Sequence, residues 1–242
     1  MKGDMQTTAG SWALLGNQPD EDAHVVSLLR DSGAIIIGHS NMSEWASVRS
    51  RRYSTGYSPR GGQTRNPYDL SISPHGSSSG SAVAVSADIV PVAFGTETDT
   101  SIIGPASMNG VVGIKPTIGL TSRHGVIPIS RNMDSVGSFG RTVADAVHGL
   151  DAIVGHDPYD SQTDLLGGKQ EQNYCQYLST KEALCGKTFG VPQFRCWQLV
   201  TEELKSVTMK VFDAPESCGA RIVQCEIPSA EERIGVDGNW NW

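Results

Sequence analysis

Apolar residues recur at helical spacing in some stretches of this chain and fall into short unbroken runs in others. That alternation is the pattern of an α/β fold. Residues 1–19 are rich in turn formers. Asp20 then stands where a helix cap would, before Ala23, Val26 and Leu29 at helical spacing, and Gly33 ends the segment. Ala34–Ile37 reads as a buried strand, and a short helix from Asn41 or Ser43 would carry Glu44, Trp45 and Ala46. Residues 49–76 show no periodicity. A loop that long is either functional or a solvated excursion, and it feeds into a serine-rich turn. Beyond it, Ser81–Ala87 suits a short helix and Ile89–Phe94 an edge strand carrying Pro91.

The second half continues the pattern. Val111–Ile114 and Gly125–Pro128 read as short strands between turns. Thr142 caps a helix with Val143, Ala146, Val147, Leu150 and Val154 on one face. Gly155–Gly168 is linker-like, which puts a subdomain boundary near 155–168. Thr188–Val191 and Arg221–Glu226 are strand-like. Between them Thr201–Phe212 forms a helix that Pro215 would end or kink. The expected architecture is a mixed β-sheet covered by helices.

Composition narrows the functions. The chain has 242 residues, 38% hydrophobic and 19% charged, which is globular sequence. A net charge of −7 argues against nucleic acid or an anionic membrane as partner. No apolar run is long enough for a transmembrane helix, and no secretory signal follows Lys2. The five cysteines (Cys175, Cys185, Cys196, Cys218, Cys225) have no C-x-x-C spacing. They read as reduced, mostly buried thiols of a cytoplasmic protein, not as a metal site.

The candidate chemistry lies in Ser73–Thr117, where two small-residue turns flank a helix–strand excursion. One is Gly76-Ser77-Ser78-Ser79-Gly80-Ser81, the other Gly95-Thr96-Glu97-Thr98-Asp99-Thr100-Ser101-Ile102. Alone, a serine–glycine run is a flexible turn. Here apolar elements bound both turns, and small residues let backbone amides approach a substrate as an oxyanion-binding hydrolase requires. Gly76–Gly80 also fits G-x-S-x-G, which would make Ser78 a nucleophile with His124, His148 or His156 as partner. That elbow needs an apolar strand before it, and Leu70–His75 contains Pro74 instead.

The runs GSSSGSAVAV, GTETDTSI with Pro105 and Ala106, and GVVGIKPTIGLTSRHGVIP together resemble the amidase signature family. TTAGSWALLG, GAIIIGHSNMSEWA and GSFGRTVADAVHGLDAIVG extend the resemblance over nearly the whole chain, with the texture of fungal members. The resemblance implies one partial amidase signature domain over 1–242 with its core motif at 73–117. It also implies amide hydrolysis through an acyl-serine by a Ser–cis-Ser–Lys triad, without cofactor or metal, on a small-molecule amide. Ser101 takes the nucleophile position, Ser77 that of the bridging serine after a cis peptide. Thr98, Asp99, Thr100 and Ser101 would offer N–H groups to the oxyanion, about 3–4 kcal/mol per donor.

Three departures from the family stand out. Its lysine aligns upstream of Met1. Lys2 matches a later position of that loop and is at best a substitute base on a chain end poorly placed for burial. Thr100 stands where the family prefers glycine, so a positive φ there would be strained. His75 likewise replaces a glycine. The chain also stops short of the family domain, so Trp240 and Trp242 would lack packing partners. Exposed apolar surface of that kind would favour self-association. The alternative function is an inactive or weakly active amidase-like remnant that binds a ligand or partner.

Overall fold

The structure, a computed structural model, describes residues 1–3, 5–50, 52–166, 173–192, 197 and 200–228. Trp240, Trp242, Cys196 and Gly168 lie outside the described residues. Two compact units divide at Tyr177/Leu178. In the first, α1 (His24–Asp31) is followed by a two-residue hairpin, β1 (Tyr57–Ser58) with β2 (Gly62–Gln63). Then come α2 (Ser79–Ser86), β3 (Val92–Glu97), α3 (Ile103–Met108), β4 (Val112–Ile114), β5 (Ser135–Gly140) and α4 (Val143–Asp151). The second unit is a βαβ crossover. Its strands β6 (Thr188–Pro192) and β7 (Arg221–Cys225) run parallel, joined through α5 (Glu202–Ser217).

The three-stranded sheet of the first unit is antiparallel, in the order β3-β5-β4, so β3 is an edge strand, with Pro91 just before it. β5 is buried at all six positions and was not legible as a strand. Its sequence, Ser-Val-Gly-Ser-Phe-Gly, has only two large apolar side chains and otherwise turn-like residues. The small residues serve close approach. A Cβ on Gly137 would lie 2.0 Å from the Ile114 carbonyl oxygen, and one on Gly140 would lie 2.4 Å from the Ala146 nitrogen of α4. Phe139, fully buried, joins Ala82 and Val85 of α2 and Ile102 and Ala106 at α3 in one apolar cluster. That cluster fixes the starts of α2 and α3, where the two serine turns lie; cutting Phe139 to alanine would cost about 3–5 kcal/mol.

A second cluster packs Val25 and Leu29 of α1 against Leu120, Val136, Leu150, Ile153 and Val154. α4 begins as expected: Thr142 accepts from the Asp145 N–H and Asp145 reaches back to the Thr142 N–H, a complete capping box. α1 ends at Gly33 in a Schellman turn, with Gly33 N–H on Arg30 and Ala34 N–H on Leu29.

Several expectations are corrected. The N-cap of α1 is Ala23, not Asp20, because the His124 carbonyl accepts from the His24 N–H at 3.2 Å and supplies what a capping side chain would. Ala34–Ile37 is not a buried strand: no described strand pairs with it, and Ile35 is 91% exposed. Trp45, Ala46 and Ser47 take left-handed φ values of 51°, 50° and 71°, so the segment after Ser43 is a left-handed turn, not an ordinary helix. β3 starts at Val92 because the N–H groups of Ile89 and Val90 turn back to the Ala84 carbonyl at the end of α2. Gly125–Pro128 is a turn, with Gly125 at φ +77° pressed against Ala23. α5 runs past Pro215 to Ser217, since a proline in the last turn forfeits only one backbone bond.

Residues 155–166, read as linker, belong to the first unit and are held by side chains. Thr163 Oγ1 donates to the carbonyls of Asp157 and Asp160, and Asp160 forms a two-pronged pair with Arg123. None of the four described cysteines is buried: Cys185 is exposed, and Cys175, Cys218 and Cys225 are half-buried. No described helix is long and apolar enough to cross a membrane.

Candidate active site

The first serine turn is built on an earlier segment of the chain, Asn41–Ser43. The Ser43 N–H donates to the Ser77 carbonyl at 3.0 Å, and the Gly80 N–H donates to the Asn41 carbonyl at 2.9 Å. Two glycines permit this. A Cβ on Gly76 would sit 2.4 Å from Ser43 Oγ, and one on Gly80 would sit 2.4 Å from the Asn41 carbonyl oxygen. Asn41 also ties in the long loop, donating to the Gly62 carbonyl and Thr64 Oγ1 and accepting from Ser58. Ser43 Oγ accepts from the Gly56 N–H at 2.9 Å. The Gly56–Thr64 part of the long loop is therefore tied to the segment that carries the serine turn. The sequence marks Asn41 and Ser43 only as possible helix starts; nothing in a polar residue on a turn announces a partner so far along the chain.

Within this turn the Gly76–Ser77 peptide is cis. Ser77 is 3% exposed, and its Oγ has no hydrogen-bond partner among the described residues. Ser78 differs. Its Oγ donates to the Thr96 carbonyl at 3.2 Å and accepts the Thr96 N–H at 3.3 Å, so the hydroxyl is committed to β3 on both sides. Ser81 Oγ is committed as well, donating to the Phe94 carbonyl at 2.7 Å.

The second turn follows β3 directly, and a backbone bond joins it to the first: Ser78 N–H to the Ser101 carbonyl, 3.2 Å. Ser101 is 9% exposed and its Oγ donates weakly to the Asp99 carbonyl at 3.3 Å. Glu97, buried to 3% exposure, accepts the N–H groups of Ile102 and Ile103 at 2.6 and 2.9 Å and closes the start of α3. Sequence reasoning missed it, because a glutamate after a strand reads as a solvated end.

Thr98 Oγ1 donates to Asp134, whose other oxygen accepts from the N–H groups of Ile129 and Ser130. Thr100 has φ +62°, so the strain anticipated for a β-branched residue at this position is present. No described residue engages the N–H groups of Asp99, Thr100 or Ser101. His75, at φ 58°, lies against α3: its Nδ1 is 3.0 Å from the Gly76 carbonyl oxygen, and a Cβ on Gly104 would strike its ring at 2.5 Å.

Lys2 is not brought to this site. Its backbone N–H donates to Asp22 at 2.6 Å, and it lines a cleft of about 430 Å³ with His24, His124, Asp157 and Tyr159, away from Ser77 and Ser101. Nor do the histidines of the elbow reading reach Ser78. His148 faces Cys175, His156 bonds Asp164 at 2.8 Å, and His124 stacks on Tyr159. Among the described residues no group of three or more His, Cys, Asp or Glu side chains could hold a metal ion.

Comparison with known proteins agrees with this architecture. The native peptide amidase of Stenotrophomonas maltophilia superposes with a TM-score of 0.87 at 44% identity, over 95% of this chain and 46% of that one. An amidase family protein from Bacillus anthracis superposes with a TM-score of 0.88 at 36% identity, over 95% of this chain and 45% of that one. The probable amidase of Arabidopsis thaliana is 55% identical over 191 residues, 78% of this chain and 37% of its own length. The chain thus spans less than half the length of these relatives. The amidase profile matches residues 2–237. With that match, and a mixed α/β fold shared with amidase structures, the chain belongs to the amidase signature family.

Proposed function

We propose that the first unit carries the acyl-transfer part of an amide-hydrolase site. Ser101 is the nucleophile, Ser77 the proton-relaying hydroxyl, and the N–H groups of the Thr98–Ser101 turn bind the oxyanion. The observation that carries this reading is the Ser77 hydroxyl, buried and without a partner among the described residues, in the turn bonded to that of Ser101. A buried hydroxyl normally finds a partner; left open, it is available to one that arrives with the reaction.

In the proposed sequence Ser101 Oγ attacks the carboxamide carbon as its proton passes to Ser77 Oγ. The Ser77 proton passes to a neutral amine base. The tetrahedral intermediate collapses by returning a proton to the leaving nitrogen, which departs as an amine. Water then repeats the attack on the acyl-Ser101 ester and releases the acid. The family's base is a lysine, and no described amine lies within hydrogen-bond reach of Ser77 Oγ. The acyl donor is a small-molecule carboxamide, for which no nucleic-acid or membrane contact is needed.

A fluorophosphonate that phosphonylates activated serines, with loss of fluoride, tests the assignment. The adduct is expected on Ser101 and is abolished by Ser101→Ala; an adduct on Ser78 would overturn it. A second reading, a fold retained for binding after loss of turnover, is favoured by the position of Lys2 and by the strained Thr100. Folded protein that takes up no label at Ser101, even with an added primary amine, is the result that selects it.

A further inference from the structure

The second unit repeats one short pattern at the entrance of both its strands. Cys185-Gly186-Lys187 leads into β6 and Cys218-Gly219-Ala220 leads into β7. Each cysteine ends a helical segment, the turn Lys181–Leu184 in one case and α5 in the other. Each glycine takes a left-handed φ, 73° and 85°, and turns the chain into its strand. The strands are parallel and their first residues, Thr188 and Arg221, are register partners. The two cysteines therefore stand at the same offset before a shared register.

Hydrogen bonds carry that register back towards them: Arg221 N–H to the Lys187 carbonyl at 2.8 Å, and Gly186 N–H to the Gly219 carbonyl at 3.0 Å. A Cβ placed on Gly219, the residue next to Cys218, would lie 3.3 Å from Cys185 Sγ and 3.7 Å from Cys185 Cα. Neighbouring strands run about 4.8 Å apart, and disulfides bridge Cα separations of about 4.4–6.8 Å. Both thiols are free, Cys185 exposed and Cys218 half-buried. Cys225 lacks such a counterpart, because its register partner is Pro192.

We infer that Cys185 and Cys218 form an oxidative pairing site, closed by a small disulfide oxidant such as oxidised glutathione. The thiolate of exposed Cys185 attacks one sulfur of the oxidant and expels one glutathione thiolate, leaving a mixed disulfide. The Cys218 thiolate then attacks Cys185 Sγ and expels the second. Two protein thiols lose two electrons and two protons, and one glutathione disulfide becomes two thiols. The product ties the two strand entrances together across the end of α5.

The test is oxidation of the reduced chain by oxidised glutathione at neutral pH, alkylation of the remaining thiols, digestion without reductant and mass spectrometry. The Cys185–Cys218 peptide should exceed any other cysteine pair by roughly tenfold or more, the advantage of groups already held together. Cys185→Ser and Cys218→Ser should each abolish it, Cys225→Ser should leave it unchanged, and the preference should vanish when oxidation is done in urea. Glutathione adducts on both cysteines without a cross-link would overturn the inference. So would pairing with Cys175, Cys196 or Cys225 at similar yield, or a preference that survives in urea.

Discussion

Two of the buried serines in the first unit, Ser77 and Ser122, differ in where the hydroxyl proton goes. At the serine turn, Ser77 Oγ is shielded from solvent and donates to no described residue. In the cleft on the α1 side, Ser122 is fully buried and donates to Asp157 at 2.6 Å, with His24 and His124 Nδ1 at 3.5 and 3.6 Å from the same carboxylate. By residue type the second place is the familiar one, a serine with histidine and aspartate. By proton connectivity it is not a nucleophile site, because the carboxylate sits between hydroxyl and imidazole where a base should stand. Its hydrogen bond is spent on structure. Burial pushes Asp157 towards the neutral form, but the Ser122 hydroxyl, the Tyr159 N–H and the two imidazoles outweigh it and hold the carboxyl below its ordinary pKa. What matters for chemistry is an open hydroxyl in a turn bonded to that of Ser101; Ser135 Oγ, also buried and open among the described residues, stands on β5 outside both turns.

The sharpest way to break this contrast is to exchange the roles. Ser101→Ala should remove fluorophosphonate labelling altogether, a loss of about a thousandfold or more, whereas Ser122→Ala should label at the parent rate. Labelling that follows Ser122 would invert the account. Ser77→Ala should slow labelling by about a hundredfold if Ser77 relays the proton.

Stability should move the opposite way in the two serine variants. Ser77→Ala removes an unsatisfied hydroxyl and should leave the protein as stable as the parent or slightly more so. Ser122→Ala removes a bond to a buried carboxylate and should cost about 1.5–3 kcal/mol in urea unfolding. Equal losses in both would show that Ser77 has a partner after all.

Acid should attack the cleft side of the unit through Asp160. The Arg123 guanidinium grips its carboxylate at 2.7 and 2.9 Å and, with Arg123 N–H and Gln162 N–H, outweighs burial to hold its pKa at about 2, against an ordinary 3.8. The folded value is depressed, so this contribution is fully present above about pH 4 and is lost as pH falls towards 2; it is worth about 2 kcal/mol. Asp160→Asn should flatten the stability profile between pH 4 and 2. An unchanged slope would contradict the pairing. Thr100→Gly relieves a left-handed β-branched residue and should stabilise by about 1 kcal/mol without moving the labelled residue.

Much of the scaffold was legible where one physical signal dominated. α4 announced itself through Thr142 and its apolar face, and α2 through an unbroken small apolar run. β5 was hidden because the property that makes it central, small residues that admit α4 and Ile114 closely, is also the composition of a turn. Ala34–Ile37 misled in the opposite sense: four apolar residues have strand propensity, but a strand exists only beside another. In the site, the glycine-bounded serines and the strained Thr100 could be read from the sequence. Glu97, Asn41 and Ser43 could not, since each acts on backbone groups that only the fold brings near.

The most direct test of the central claim, that Ser77 is the open proton relay to Ser101, is a rate. Fluorophosphonate labelling of Ser101 is measured against methylamine concentration in the parent chain and in Ser77→Ala, at a pH where part of the amine is neutral. The account predicts acceleration of about tenfold in the parent, rising with the neutral fraction of the amine, and none in Ser77→Ala. Identical amine dependence in the two proteins would contradict it.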